Sequence, residues 1–207
     1  KRAIEAMKPE RVYASAMGVK ALADHYQLSN VIAVKDGETM KLGHNTLQFM
    51  ETRMLHWPDS MFTYVQEQKF LFSQDGFGMH LASTERFDDE LSFDLLEYEA
   101  KKYYANILNL YNPFVRKVLD KIKTSGLELK MIAPDHGPVW RRDIARILEL
   151  YSKWCESPNG NKALIIYDSM WGSTQMMARS IADGLKDGGS SVHVMNMTEN
   201  HRSDAAT

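Results

Sequence analysis

The sequence predicts an α/β protein in two parts: a mixed α/β region to about residue 154, then the opening β–α–β of a doubly wound parallel sheet. Three observations predict it. Short β-rich runs punctuated by turn residues occupy residues 31–74. Helical periodicity takes over from about Leu91 to Ser125. Finally "KALIIYDSMWGSTQMMARSIADGLK", residues 162–186, passes from an apolar strand through small hydroxylated residues into a helix.

The elements follow in order. Residues 1–30 read helix, strand, helix, from "RAIEAMK", "RVYAS" and "GVKALADHY". "VIAV", "ETMKL" and "TLQFME", separated by Asp36-Gly37 and Gly43-His44-Asn45, predict a meander. "MFTYV" and "KFLFS" flank the polar "QEQ" and predict a hairpin. The helical stretch is expected to break at Asn112-Pro113, because proline lacks an N–H and crowds the preceding turn. "LELKMIAP" returns to strand and "RRDIARILELYSKW" to an amphipathic helix. "CESPNGN", residues 155–161, gathers Ser, Pro, Asn and Gly and is the expected linker between residues 1–154 and 162–207. After it "ALIIY", a helix over 174–186 and "SVHVMNM" complete the β–α–β.

Composition narrows the function classes. With 44% hydrophobic and 25% charged residues, the chain can bury a core. A formal charge of −2 offers no electrostatic attraction to nucleic acid or an anionic membrane surface, so neither is an expected partner. No apolar run approaches the roughly 20 residues that span a bilayer, and "KRAIEAMKPE" lacks the apolar core of a signal peptide. One cysteine, Cys155, excludes an internal disulfide and agrees with a reducing cytoplasm. The 13 methionines read as core fillers, since none clusters with Cys or His at ligand spacing.

Two groups of residues carry chemistry. The loop "YDSMWGST", Tyr167 to Thr174, is not a Walker A loop and lacks G-x-G-x-x-G. It offers the hydroxyls of Ser169, Ser173 and Thr174, with backbone N–H groups at a helix N-terminus. A monophosphate dianion can be held there without a basic residue, which suits the phosphate of flavin mononucleotide (FMN) better than a triphosphate carrying Mg²⁺. The same residues also suit an ordinary strand-to-helix turn with Ser and Thr caps. Trp171 can shield a flavin or stand as an exposed loop aromatic, and Asp168 is expected to orient backbone rather than touch phosphate.

The second group is drawn from seven histidines, of which His56 and His136 stand apart. His56 lies in "MLHWPDSM", expected at a strand end before a proline turn, and His136 in "IAPDHGPVW", directly after an apolar strand. Asp75, in "FLFSQDGFG", has the same placement. Three such side chains at strand tips can converge on one sheet edge, and imidazole with carboxylate suits zinc or non-haem iron. Taken singly, each also reads as a loop residue bonded to nearby backbone.

Together "LHWPDSM", "LFSQDGFG" and "APDHGPVWR", then the linker and a (T/D/S)-x-x-G-(S/N)-T loop, resemble the flavodiiron proteins, or A-type flavoproteins, the rubredoxin:oxygen oxidoreductase family. The resemblance covers essentially the whole chain, in motif order as well as content. It implies a metallo-β-lactamase-like αββα domain over 1–154 holding two non-haem iron ions, and a flavodoxin-like FMN domain over 162–207. By motif it makes His56 a ligand of one iron, His136 a ligand of the other, and Asp75 the carboxylate bridging both. Ser169, Met170, Trp171, Gly172, Ser173 and Thr174 become the FMN contacts. Tyr103, beside Tyr104 in "AKKYYANIL", is placed near the oxygen-binding side, with a packing role equally open, and His80 around the metal ligands.

The implied reaction passes electrons from FMN to the di-iron centre, which reduces O₂ to water or NO to N₂O. Implied partners are rubredoxin or a similar donor and a second copy of the chain in a head-to-tail homodimer, in the cytoplasm. The family's H-x-E-x-D-H motif does not occur in residues 1–207, and the flavodoxin part stops before its later strands. The sequence is therefore expected to be an internal fragment, with the first part of the αββα domain missing and no activity by itself. Two other readings stand beside it. One is a zinc-dependent metallo-β-lactamase-fold hydrolase with a C-terminal flavodoxin-like module. The other is an electron carrier or binding module whose strand-tip ligands are accidental.

Overall fold

Ser15 closes the first strand and opens the first long helix. It ends β1 (Val12–Ser15), and its hydroxyl accepts from the Gly18 N–H at 3.1 Å, capping α2 (Ala16–Tyr26). The same hydroxyl donates to the Asp59 carbonyl at 2.9 Å. These elements belong to a computed structural model that describes residues 1–156 and 160–206. The chain divides into two units, Lys1–Cys155 and Glu156–Thr207.

In the first unit a short helix, α1 (Arg2–Met7), precedes β1, and α2 leads to β2 (Val31–Val34). β1 and β2 pair in parallel, from Val12↔Val31 to Ser15↔Val34. "VIAV" is thus not the first strand of the meander, as its turn signals suggest. Parallel neighbours need a crossover, and α2 supplies it. The meander proper runs through β3 (Thr39–Leu42), β4 (Asn45–Glu51), β5 (Met61–Val65) and β6 (Phe70–Gln74), each antiparallel to the last. β7 (Met131–Pro134) then adds in parallel beside β6, giving the order β3-β4-β5-β6-β7.

The β6-to-β7 crossover is helical. α3 (Phe93–Tyr103) passes into a π turn, Tyr104–Leu108, and a 3-10 turn, Asn109–Tyr111, before α4 (Asn112–Thr124). The break therefore lies before Asn112-Pro113. Pro113 sits in the first turn of α4, where its missing N–H has no intrahelical partner to lose. α5 (Ile144–Glu156) follows β7 and buries Ile147, Tyr151 and Cys155 at four-residue spacing. These join Leu96 and Ala100 of α3, Val115, Val118 and Ile122 of α4, and Phe62, Leu71 and Ile132 of the sheet in one core. Each such aliphatic side chain contributes about 1.5–3 kcal/mol when fully buried.

α5 begins at Ile144 rather than at Arg141 because a buried carboxylate gathers the residues before it. Asp88, fully buried, accepts from the backbone N–H groups of Arg141 at 2.9 Å, Arg142 at 3.1 Å and Asp143 at 2.7 Å. At its other end α5 continues through Glu156, so the first two residues of the expected linker are helical. Residues 157–159 of that linker lie outside the described residues.

In the second unit β8 (Lys162–Tyr167) and β9 (Ser191–Asn196) pair in parallel along their full lengths, joined by α6 (Ser173–Asp187). This is the expected β–α–β. Ala178 and Ala182 form the buried stripe of α6. Among the described residues no helix is long and apolar enough to cross a membrane.

Replacing Asp88 by Ala removes the buried acceptor shared by three backbone N–H groups. Urea unfolding should then show a loss of about 3 kcal/mol, with Asp88→Asn recovering part of it. A loss below about 0.5 kcal/mol, the range of ordinary surface changes, would contradict the capping role.

Candidate functional site

Strand polarity brings the candidate ligands together. β6 and β7 are parallel neighbours, so their C-terminal ends lie side by side. Asp75 directly follows β6, and His136 lies two residues beyond β7. β5 runs antiparallel to β6, so the start of β5 reaches the same end of the sheet, where the Met61 N–H donates to Gln74 Oε1 at 2.8 Å. The connection over residues 52–60, which carries His56, is thereby held at that edge. His56 sits inside this connection, five residues past the end of β4, rather than at a strand tip.

The three side chains meet at Asp75. His56 Nε2 lies 3.5 Å from Asp75 Oδ2, and His136 Nε2 lies 3.3 Å from Asp75 Oδ1. Each carboxylate oxygen thus faces one imidazole. The Tyr103 hydroxyl, at the end of α3, donates to Asp75 Oδ1 at 3.2 Å. Burial first, and then the Asp75 charge, push the Tyr103 phenol well above its ordinary pKa, which keeps it a neutral donor. His80 packs edge-on against the rings of Tyr103 at 4.8 Å and His136 at 5.3 Å. Tyr104 turns away from Asp75, and its hydroxyl donates to Asn112 Oδ1 at 2.6 Å.

Backbone bonds lock the two strand-end loops to each other. The Met79 N–H donates to the His136 carbonyl at 3.2 Å, and the Asp135 N–H to the Gln74 carbonyl at 2.7 Å. Trp140, fully buried, donates from Nε1 to the Phe77 carbonyl at 2.8 Å. Ser73, also buried, donates its hydroxyl to the Gly76 carbonyl at 2.7 Å. Gly137 adopts φ +83°, and a Cβ there would stand 2.7 Å from Met79 Cγ and 3.1 Å from the Met79 carbonyl oxygen. The His56 loop has its own ties: the Thr52 N–H donates to Ser60 O at 3.0 Å, and the Leu55 N–H to Thr52 O at 3.0 Å.

This donor set suits metal ions shared across a carboxylate. Two N or O donors at about 2.1 Å from one ion stand about 3.0–3.4 Å apart at ordinary ligand angles. The two imidazole–carboxylate separations are close to that range, so one ion fits between His56 and Asp75 and another between Asp75 and His136. Each ion would draw two donors from these residues. No group of three or more His, Cys, Asp or Glu side chains among the described residues is arranged to hold a metal ion.

Asp135 is the neighbour that sequence reasoning passed over, although it stands beside His136 in "APDHGPVW". Its carboxyl is pushed above the usual range by burial and by the Asp75 charge, against the opposing effect of His136. That Tyr103 reaches Asp75, 28 residues away, has no local signal.

In the second unit Gly172, at φ +83°, turns the chain from the loop into α6. The Gly172 N–H donates to the Ser169 hydroxyl at 2.9 Å, and no side chain caps the first helical turn. Ser173 and Thr174 stand exposed at that turn. Met170 and Trp171 are 85% and 88% exposed. Asp168 forms no hydrogen bond among the described residues, so it does not orient the loop backbone as expected.

Gly137 and Gly172 share φ +83°, but only Gly137 faces close neighbours. Alanine at Gly172 should therefore cost its own unit only the left-handed strain, about 1–2 kcal/mol. Alanine at Gly137 should add overpacking of about 1–3 kcal/mol and shift the His136 ring resonances in NMR. Equal losses in urea unfolding, with His136 unmoved, would contradict the close approach to Met79.

Residues 2–137 match the family described as ODP family beta lactamase, and residues 165–207 match the flavodoxins. The chain is 45% identical over 186 residues to a nitric oxide reductase of Moorella thermoacetica, covering 90% of this chain and 46% of that protein. The structure of rubredoxin oxygen:oxidoreductase from the anaerobe Desulfovibrio gigas matches with a TM-score of 0.89 at 40% identity, over 98% of this chain and 52% of that one. A flavodiiron protein from Giardia intestinalis matches with a TM-score of 0.83 at 34% identity, over 94% and 48% of the two chains. The chain spans about half the length of these relatives. A β-lactamase-like part continued by a flavodoxin part, with these relatives, places the chain in the flavodiiron family.

Proposed function

We propose that these residues belong to an oxidoreductase that passes electrons from FMN to a non-haem di-iron centre, reducing O₂ to water, NO to N₂O, or both. The observation that carries this reading is the Asp75 carboxylate set between His56 and His136, one oxygen toward each imidazole. His56 would hold one iron, His136 the other, and Asp75 would bridge them. Tyr103 would fix the Asp75 carboxylate through the hydrogen bond from its hydroxyl. Residues 1–154 form the metal domain in this assignment and residues 162–207 the FMN domain. There the hydroxyls of Ser169, Ser173 and Thr174 and the N–H groups of residues 169–174 would cradle the FMN phosphate.

Bound iron and FMN supply one-electron steps that these side chains lack. The chain's own contribution is to orient both imidazoles on one carboxylate and to keep the Tyr103 proton on its oxygen beside Asp75. With two donors per ion, residues 1–207 are expected to need further ligands before they reduce O₂ or NO. The name of the Desulfovibrio gigas relative supports rubredoxin or a similar carrier as electron donor. A head-to-tail homodimer and a cytoplasmic location complete the proposal. The zinc-hydrolase alternative is disfavoured by the flavodoxin match and by relatives named as reductases and oxidoreductases.

Elemental and flavin analysis of the full-length protein tests the reading. Wild type should carry two irons and one FMN per chain. Asp75→Ala should lose iron while keeping FMN, and Ser173→Ala/Thr174→Ala should lose FMN while keeping iron. Colourless, zinc-loaded wild-type protein would overturn the proposal.

A further inference from the structure

The Tyr103 hydroxyl, bonded to Asp75, stands at one end of a run of oxidisable rings. Tyr104 follows it in the chain, and both are buried. Between ring centroids, Tyr104 lies 5.1 Å from Tyr151 and 5.4 Å from Trp154, and Tyr151 lies 5.6 Å from Trp154. Tyr103 and Tyr104 are both near enough for their charges to act on the Tyr151 phenol. Tyr151 and Trp154 are three residues apart on α5, a spacing that puts them on one face of the helix. Of the four rings only Trp154 is partly open to solvent.

The rings differ in what can happen to their protons. A phenol gives up an electron readily only when its O–H proton can leave as well, because the oxidised phenol is a strong acid. Tyr103 has that outlet in Asp75 Oδ1, at 3.2 Å. Tyr104 donates at 2.6 Å to Asn112 Oδ1, an amide oxygen and a poor base. The buried Tyr151 hydroxyl has no hydrogen-bond partner among the described residues. Burial pushes the Tyr104 and Tyr151 phenols above their ordinary range, so both hold their protons. An indole can lose its electron first and its proton later, to water. Tyr103 and Trp154 are therefore the two stations of the run, joined through the rings of Tyr104 and Tyr151.

We propose that this run of rings carries an oxidising equivalent from the Asp75 edge to the surface at Trp154. It rests on the proposed function in one respect: partly reduced oxygen formed at that edge is the one-electron oxidant. The oxidant takes an electron from Tyr103, whose phenolic proton moves to Asp75 Oδ1. The Tyr103 radical then takes an electron from Trp154, and the proton returns to the Tyr103 oxygen. Trp154 releases its indole proton to water. For each oxidant reduced, Trp154 loses one electron and the solvent gains one proton. His56 and His136, which face Asp75, are thereby spared oxidation. Trp57, 5.6 Å from the His56 ring and 60% exposed, is the rival exit.

A photochemical oxidant placed beside Asp75 tests the relay in full-length protein without iron. Asp59 lines the same cleft as Asp75 and is partly exposed, so Asp59→Cys can carry a ruthenium photosensitiser. Cys155 is buried and stays unlabelled. Flash oxidation followed by electron paramagnetic resonance should show an indolyl radical that persists in Trp57→Phe. Trp154→Phe should replace it with a tyrosyl radical, and Tyr103→Phe should abolish both signals. Each variant keeps an aromatic ring, and unchanged thermal melting separates a broken relay from a lost fold. The proposal is overturned if the indolyl signal survives Trp154→Phe, vanishes in Trp57→Phe, or is unaffected by Tyr103→Phe. Because no iron is present, these outcomes are independent of whether the protein binds iron.

Discussion

One carboxylate organises the first unit. Asp75 is met by His56 from the β4–β5 connection, by His136 from beyond β7 and by Tyr103 from the end of α3. These four residues come from parts of the chain up to 80 positions apart, read from His56 and His136. Nothing in any one segment fixes their distances. What fixes them is that β6 and β7 run parallel while β5 runs antiparallel, which sends two strand ends and one strand beginning to the same edge. The Tyr103 hydroxyl donates to one oxygen of Asp75, and each oxygen of that carboxylate faces one imidazole.

The surrounding structure holds that arrangement stiffly. Fully buried Trp140 bonds the Phe77 carbonyl, and Met79 bonds the His136 carbonyl, so the two loops cannot shift independently. Gly137 makes this possible by admitting Met79 where any side chain would collide. Behind the loops, α3, α4 and α5 supply the apolar weight through Leu96, Val115 and Ile147. Asp88 determines where α5 starts by satisfying three of its entry N–H groups. The second unit works by a simpler device, a parallel strand pair with a left-handed glycine at the helix start that leaves the first-turn amides uncapped.

Much of this was legible in the amino-acid order, for physical reasons. Asp75 and His136 stood out because each follows an apolar run and precedes glycine, the pattern of a side chain delivered at a strand end. The β–α–β of the second unit was legible because its apolar strands, polar turns and helix each have their own period. Pairing direction has no such signature, so "VIAV" looked like one more meander strand until β1 claimed it in parallel. Pro113 was read as a break, whereas it begins α4, since the same missing N–H disfavours a helix interior and suits a first turn. Tyr103 reaches Asp75 only through tertiary packing, and the loop role expected of Asp168 fell to Ser169, whose hydroxyl receives the Gly172 N–H.

The central claim is that Asp75 bridges two metal ions, with His56 on one side and His136 on the other. Iron-edge anomalous diffraction from crystals of the iron-loaded protein tests it most directly. The account predicts two iron peaks flanking the Asp75 carboxylate, one bonded to His56 Nε2 and the other to His136 Nε2. A single peak, or peaks that Asp75 does not touch, would contradict it.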